Sequence, residues 1–268
     1  MYENRIIAYI DILGFKNEIE KKTINPSSKK ENNKESKRIY DFISVVHKDF
    51  VKRNISHDSS YKVSQFSDSL VFSYSASEKA AVFWILMGLL YLHLDAINHG
   101  LLIRGAVTFG KLVHDDNHLF GPAMDEVYKM ESECAIFPRI IVDKDLIGLA
   151  SKNPNSSNSP DDEKRFIENL LKQDFDGFLY IDYFFKGCEE IIASEDYHVL
   201  PEFISKLSSL IKNNESNKDL RIMQKYNWLK QRFNSVVKYY KTFDYNQNPE
   251  YKDVATFFYK IKLFKIAH

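Results

Sequence analysis

The chain has 268 residues, 44% of them hydrophobic and 14% aromatic, enough apolar material for a substantial core, and this excludes global disorder. Lys plus Arg and Asp plus Glu balance at 37 each, so no overall electrostatic grip on nucleic acid or on an anionic membrane is expected. The two cysteines, Cys134 and Cys188, have neither metal-type spacing nor a disulfide framework, and the chain enters a strand without a signal-peptide pattern, so a cytoplasmic location is expected.

Residues 5–13 read as a buried strand in which Asp11 interrupts an apolar run, "RIIAYIDIL". Burying a lone carboxylate costs several kcal/mol or forces it to take up a proton, so Asp11 requires a partner. The polar stretch 21–37, with Pro26, reads as a solvated loop. A helix follows over 38–53, with Ile39, Phe42, Ile43, Val46 and Phe50 at helical spacing. Alternation on both sides of Ser67-Asp68-Ser69 predicts a hairpin over 61–75.

The apolar run 77–98 reads as a long helix with Ser77 as N-cap and Gly100 as its stop. Its most apolar part, 80–94, carries His93 and is too short to span a bilayer. A strand over 101–113 enters a hairpin turning at 115–117, then a helix covers 122–134 and a strand 138–143. Residues 151–164 read as a low-complexity surface loop, and 175–184 as a last core strand. From about Pro201 the chain reads as helical, notably over 218–240. The element order predicts an α+β fold, an antiparallel-rich sheet with helices on one face, and the split β-α-β-β-α-β order is the ferredoxin-like motif. The expected division is a sheet domain over 1–184 and a mainly helical extension over 185–268.

Asp68 sits in the first hairpin. If its strand neighbours that of Asp11, the two carboxylates emerge together and repel, and one stays protonated unless a cation lies between them. Mg²⁺ takes one or two protein carboxylates plus phosphate oxygens and water. The partner expected for Asp11 is therefore a metal ion. The structural alternatives are that Asp11 caps a short helix after Leu13 and that Asp68 forms the turn.

Four motifs in order resemble the class III nucleotidyl cyclase catalytic domain, a variant of the polymerase palm: "YIDILGF" (9–15), "FSDSLVF" (66–72), "IRGAVTFGKLV" (103–113) and "GPAMDEVYKME" (121–131). The resemblance covers residues 5 to about 145. It implies that Asp11, Asp68 and the carbonyl of Ile12 hold two divalent ions, Mg²⁺ or Mn²⁺, on a nucleoside triphosphate. The amides of Leu13, Gly14, Phe15 and Lys16 would cradle its phosphates, and the product would be a cyclic nucleotide plus pyrophosphate. It also implies a homodimer with shared active sites, in which the partner supplies an Asn and an Arg. Those positions are Asp125 and Lys129 here, and Lys lacks the bidentate fork of Arg. The base-selecting positions fall near Ser64 and His118, which fit neither usual purine pair. A pyrimidine triphosphate is conceivable, as in bacterial defence cyclases of the Pycsar type.

Arg104, Lys111 and Arg139 lie on or beside core strands, where they could face phosphate or make structural ion pairs. His114 with Asp115 and Asp116 reads as a polar turn rather than a metal cluster. "DFDG" (174–177) lacks the other ligands of a calcium loop and reads as a turn. Trp228 with Lys225, Lys230 and Arg232 reads as part of an amphipathic helix, with a stacking surface as the alternative.

Overall fold

The computed structural model describes residues 2–15, 29–46, 60–193, 199–244 and 252–266; Lys16 and Phe50 lie outside them. The chain divides into two compact units, Met1–Ile181 and Asp182–His268.

The first unit runs β1 (Glu3–Ile12), α1 (Lys29–Val45), β2 (Lys62–Phe66), β3 (Ser69–Ser75), α2 (Ala81–Asn98), β4 (Ile103–His114), β5 (Leu119–Phe120) and α3 (Pro122–Lys129). A π-helical turn (Met130–Cys134) prolongs α3, and β6 (Ile140–Val142), α4 (Asp145–Lys152), α5 (Pro160–Leu170), β7 (Leu171–Gln173) and β8 (Leu179–Ile181) follow. The sheet order is β2-β3-β1-β4-β6-β8-β7, with β5 paired to β4. Every pairing is antiparallel except β4 with β6. Its first four strands, β2-β3-β1-β4, have the order of the split β-α-β-β-α-β motif.

The registers place Ile7, Tyr9 and Asp11 of β1 on one face with Ser73, Val71 and Ser69 of β3 and Thr108, Ala106 and Arg104 of β4. Helix α3 closes part of that face: Ile7, Val71, Ala106, Leu112, Ala123 and Val127 form one buried cluster. Ile6, Ala8, Ile10 and Ile12 point the other way and are buried, and α2 packs on β1 and β3 from that side. Helices therefore cover both faces, against the expectation of one. The reason lies in β1 itself, where from Ile6 to Ile12 both sets of alternate side chains are apolar apart from Asp11. Gly105 permits this close β1–β4 pairing, because a Cβ there would lie 2.4 Å from the carbonyl oxygen of Tyr9.

Several boundaries differ from expectation. α1 begins at Lys29, inside the stretch read as a loop. α2 begins at Ala81; its N-cap is Ala80, with φ 56° and no side-chain cap, so Ser77 lies in the preceding turn. By length and composition α2 could cross a membrane, but its apolar side chains are mostly buried in this unit. The second half of the expected loop 151–164 starts α5, whose N-cap Ser159 exchanges hydrogen bonds with Asp162 in a capping box. The expected strand 175–184 shortens to Leu179–Ile181 because Asp174–Phe178 turns the chain between β7 and β8. There Arg139 is fully buried and ion-paired to both Asp174 and Asp176, so "DFDG" is a turn whose carboxylates serve an internal cation.

The second unit comprises α6 (Phe185–Ala193), α7 (Val199–Lys212), α8 (Leu220–Thr242) and α9 (Lys252–Lys260). Asp219 caps α8 by accepting from the amides of Arg221 and Ile222. Trp228 is buried against Phe184, with Arg232 over its ring, so it belongs to the core of this unit.

Candidate functional site

The end of β1 carries the most concentrated chemistry. Asp11 stands in register with Ser69 at the start of β3, and the Ile12 amide donates to the Asp68 carbonyl at 3.2 Å. A two-residue turn, Ser67-Asp68, produces this proximity, with Ser67 at φ 55°. Burial raises the pKa of Asp11; Arg104 opposes that shift, while Asp68 adds to it through its charge and a hydrogen bond. The fold thus brings Asp11 and Asp68 together.

The protein group opposite Asp11 is Arg104, directly across in the β1–β4 register. Its Nε lies 3.3 Å from Asp11 Oδ2, its Nη2 lies 2.7 Å from Glu131 Oε1, and its Nη1 donates to the Ala135 carbonyl at 3.3 Å. Glu131, with a side chain only 4% exposed, comes from the π-helical turn. The guanidinium thus bridges two carboxylates, one buried and one facing the site. Tyr9, two residues before Asp11 on the same face, donates its hydroxyl to Ser69 Oγ at 2.7 Å and packs edge-on against exposed Tyr128. Burial pushes that hydroxyl's pKa up, and Glu131, Asp11 and Tyr128 push in the same direction. The set Asp11, Asp68, Arg104, Glu131 and Tyr9 offers hard oxygen ligands beside a fixed cation, suited to a charged phosphorylated ligand.

The other expected site residues are placed as follows. The Leu13 amide, just past β1, donates to the Leu102 carbonyl at 2.8 Å, so it is already engaged rather than open to a phosphate. Gly14, at φ 82°, turns the chain between Leu13 and Phe15. Ile12 is buried and paired with Ile103. Asp125 and Lys129 lie one turn apart on the exposed side of α3. Lys111 pairs with Asn4, seven residues along β1 from Asp11, or about 24 Å at ~3.4 Å per residue.

Ser64 and His118 belong to a different cluster. His114 Nε2 is 3.0 Å from Ser64 Oγ and its Nδ1 is 2.7 Å from Ser73 Oγ, which accepts from Arg5 Nε at 2.8 Å. His118 lies against Asp115 at the hairpin tip, and Asp116 pairs with Lys62. Among the described residues no group of three or more His, Cys, Asp or Glu is arranged to hold a metal. Asp115 and Asp116 lie in the turn, whereas His114, read as part of it, is the buried last residue of β4.

Burial, with Arg5 and Lys62 nearby, lowers the His114 pKa to about 4. A histidine depressed on folding leaves the unfolded chain binding more protons, so stability is lost as pH falls from about 6.5 towards 4. The expected loss is on the order of 3 kcal/mol by pH 4. Urea unfolding at a series of pH values checks it: His114→Gln should flatten the profile in that window, and an unchanged slope would contradict this.

Sequence reasoning did not single out Tyr9, Ser69, Tyr128 or Glu131. Period-2 alternation places Tyr9 on the face of Asp11 and was a usable signal. The π-helical turn that delivers Glu131 had none.

No family model matches the chain, and no curated protein matches it. Among solved structures it is similar to a bacterial light-regulated adenylyl cyclase at 15% identity and TM-score 0.41, over 59% of this chain and 46% of that one. A second similar structure is a class III adenylyl cyclase-like ATP-binding protein from Pseudomonas aeruginosa, at 15% identity and TM-score 0.40, over 63% and 40%. A third is the catalytic core of a rhodopsin-guanylyl cyclase with converted specificity in complex with ATPαS, at 16% and 0.39, over 67% and 95%. The chain thus spans less than half the length of the first two.

Proposed function

We propose that this chain is a divalent-metal-dependent nucleotidyl cyclase, which converts a nucleoside triphosphate to a 3′,5′-cyclic nucleotide and pyrophosphate. The observation that carries this reading is the meeting of Asp11 and Asp68 at the end of β1, within sequence motifs that resemble the class III cyclases. A neighbouring carboxylate, Asp68, that adds to the raised proton affinity of Asp11 fits a hard divalent cation between the two, which would hold Asp11 ionised. Asp11, Asp68 and the Ile12 carbonyl would hold Mg²⁺ or Mn²⁺, whose chemistry is to lower the charge cost at the reacting phosphate.

The chain's own groups do the rest. Arg104, anchored on Glu131, keeps a guanidinium at the edge of the carboxylate pair. Tyr9, on the same strand face as Asp11, is held by Ser69. In the reaction the ribose 3′-oxygen bonds to the α-phosphorus, the bond to the β-phosphate bridging oxygen breaks, and pyrophosphate leaves with that electron pair. The hydroxyl proton passes to solvent or base. Incubation with each of the four ribonucleoside triphosphates and Mn²⁺ tests this: one of them should yield a cyclic mononucleotide. No cyclic product from any, with folded protein, would reject it.

Lys129 and Asp125 complete the reading if they reach the site of a second subunit across a two-fold axis. Mixing inactive Asp68→Ala protein with inactive Lys129→Ala protein should then recover roughly a quarter of wild-type sites, given independent sites and free exchange. No recovery despite demonstrated exchange would reject sharing.

A second reading is favoured by Arg104 standing on Asp11, together with the Asp125 and Lys129 replacements: a module that binds triphosphate without turning it over. A metal-dependent thermal shift with triphosphate and no pyrophosphate release would select it.

A further inference from the structure

Away from that site, Phe83, Trp84 and Phe166 line a cavity of about 170 Å³ in the first unit together with Asn155, Asn158 and Glu163. The first two rings come from the start of α2 and stand edge to face at 5.3 Å; Phe166 and Glu163 come from α5. The intervening loop is fixed to the turn before α2. The Ala80 amide donates to the Asn153 carbonyl at 2.8 Å, Asn153 Nδ2 donates to the Ala76 carbonyl at 2.9 Å, and Lys79 donates to Ser156 Oγ at 3.3 Å. The walls of the cavity are therefore held in place before any ligand arrives.

Glu163 is 1% exposed. Its Oε2 accepts from the Asn155 amide at 3.2 Å and from Asn158 Nδ2 at 2.9 Å. Its Oε1 is buried with no hydrogen-bond partner among the described residues. A buried carboxylate oxygen left unmatched is costly, and a positive charge removes that cost. Three aromatic rings around the same space favour a cation as well, through the negative potential of their faces. Beside the rings, acceptors for N–H donors are few: Asn155 Oδ1 has one of its two lone pairs taken by the Ser157 amide at 3.1 Å. A primary ammonium brings three N–H donors that need partners, whereas a fully alkylated ammonium brings none.

We propose that this cavity binds an alkylated ammonium head group, with Glu163 supplying the counter-charge and Phe83, Trp84 and Phe166 the aromatic wall. Such a head group arrives on a free quaternary amine or on a trimethylated lysine, and the chemistry of recognition is the same. This site is independent of the Asp11 site.

Calorimetric titration of the full chain with tetramethylammonium chloride tests it, against sodium chloride at equal ionic strength and against tert-butanol as the neutral shape match. Saturable binding of tetramethylammonium alone is expected. Glu163→Gln should weaken it by about tenfold or more, and Phe166→Leu, at an exposed ring whose loss leaves the core intact, should do likewise. Lys238→Gln, at an exposed position of α8 in the second unit, should leave it unchanged. Choline and trimethyllysine amide, titrated in parallel, tell the two sources apart, and tight binding of either supports the site. No saturable heat up to the solubility of the salt, tert-butanol binding as well as the cation, or wild-type affinity in both Glu163→Gln and Phe166→Leu would overturn the proposal.

Discussion

Asp11→Ala and Asp68→Ala should each lower triphosphate turnover by about 100-fold or more, because even the outer-shell partners of a metal site are commonly worth 10–100-fold. Pyrophosphate release under saturating Mn²⁺ measures it. Folding should survive both changes. Asp11 is only partly buried, its loss removes a carboxylate that burial already disfavours, and Arg104 keeps Glu131 as a partner. Asp68 lies in a turn, where truncation opens no cavity in the core. Full activity in either variant would place the reaction elsewhere.

Arg139→Leu should destabilise the first unit by about 3–5 kcal/mol, the cost of breaking a buried ion pair from one side. The guanidinium is 0% exposed, ion-paired to a fully buried Asp174 and to Asp176, and lies 5.1 Å from the centre of the Phe137 ring and 5.6 Å from that of Tyr180. Leucine leaves Asp174 buried without a counter-charge. Urea denaturation checks the magnitude. The double variant Arg139→Leu with Asp174→Leu should be more stable than the single one, since it removes the orphaned charge. A single variant within 1 kcal/mol of wild type would show that the pair contributes little.

Much of the sheet was legible because most of its strands are short apolar runs bounded by turns. β1 follows from a nearly continuous apolar run, and the β2–β3 hairpin from the tight turn between its two strands. The hairpin put Asp68 in its turn, but the meeting with Asp11 depends on β1 pairing with β3, which the sequence leaves as a condition. The identity of the group facing Asp11 was not legible, because Arg104 comes from 93 residues away and strand pairing cannot be read from one strand. α4, eight residues long with Gly148 inside it, was missed, and α5 was half hidden because its first turn is polar. In α5, "SPDDE" reads as a loop until Ser159 and Asp162 are seen as a capping box. Ser77 failed as a cap because the chain turns through Ala80, tied to the Asn153 carbonyl, before α2 begins. Lys111 reads as a phosphate contact because it lies on a core strand, and the antiparallel register carries it to the far end of β1 from Asp11.

The central claim is that Asp11 and Asp68 together hold a divalent ion on a triphosphate, and Mn²⁺ binding followed by electron paramagnetic resonance tests it most directly. In the presence of a non-hydrolysable triphosphate analogue, wild-type protein should bind Mn²⁺ saturably. Asp11→Asn, Asp68→Asn and the double variant should lose that binding while keeping the wild-type far-ultraviolet dichroism. Affinity should also fall with falling pH, because burial raises the proton affinity of Asp11 and protons compete with the metal. Equal Mn²⁺ binding by wild type and the double asparagine variant would contradict the account.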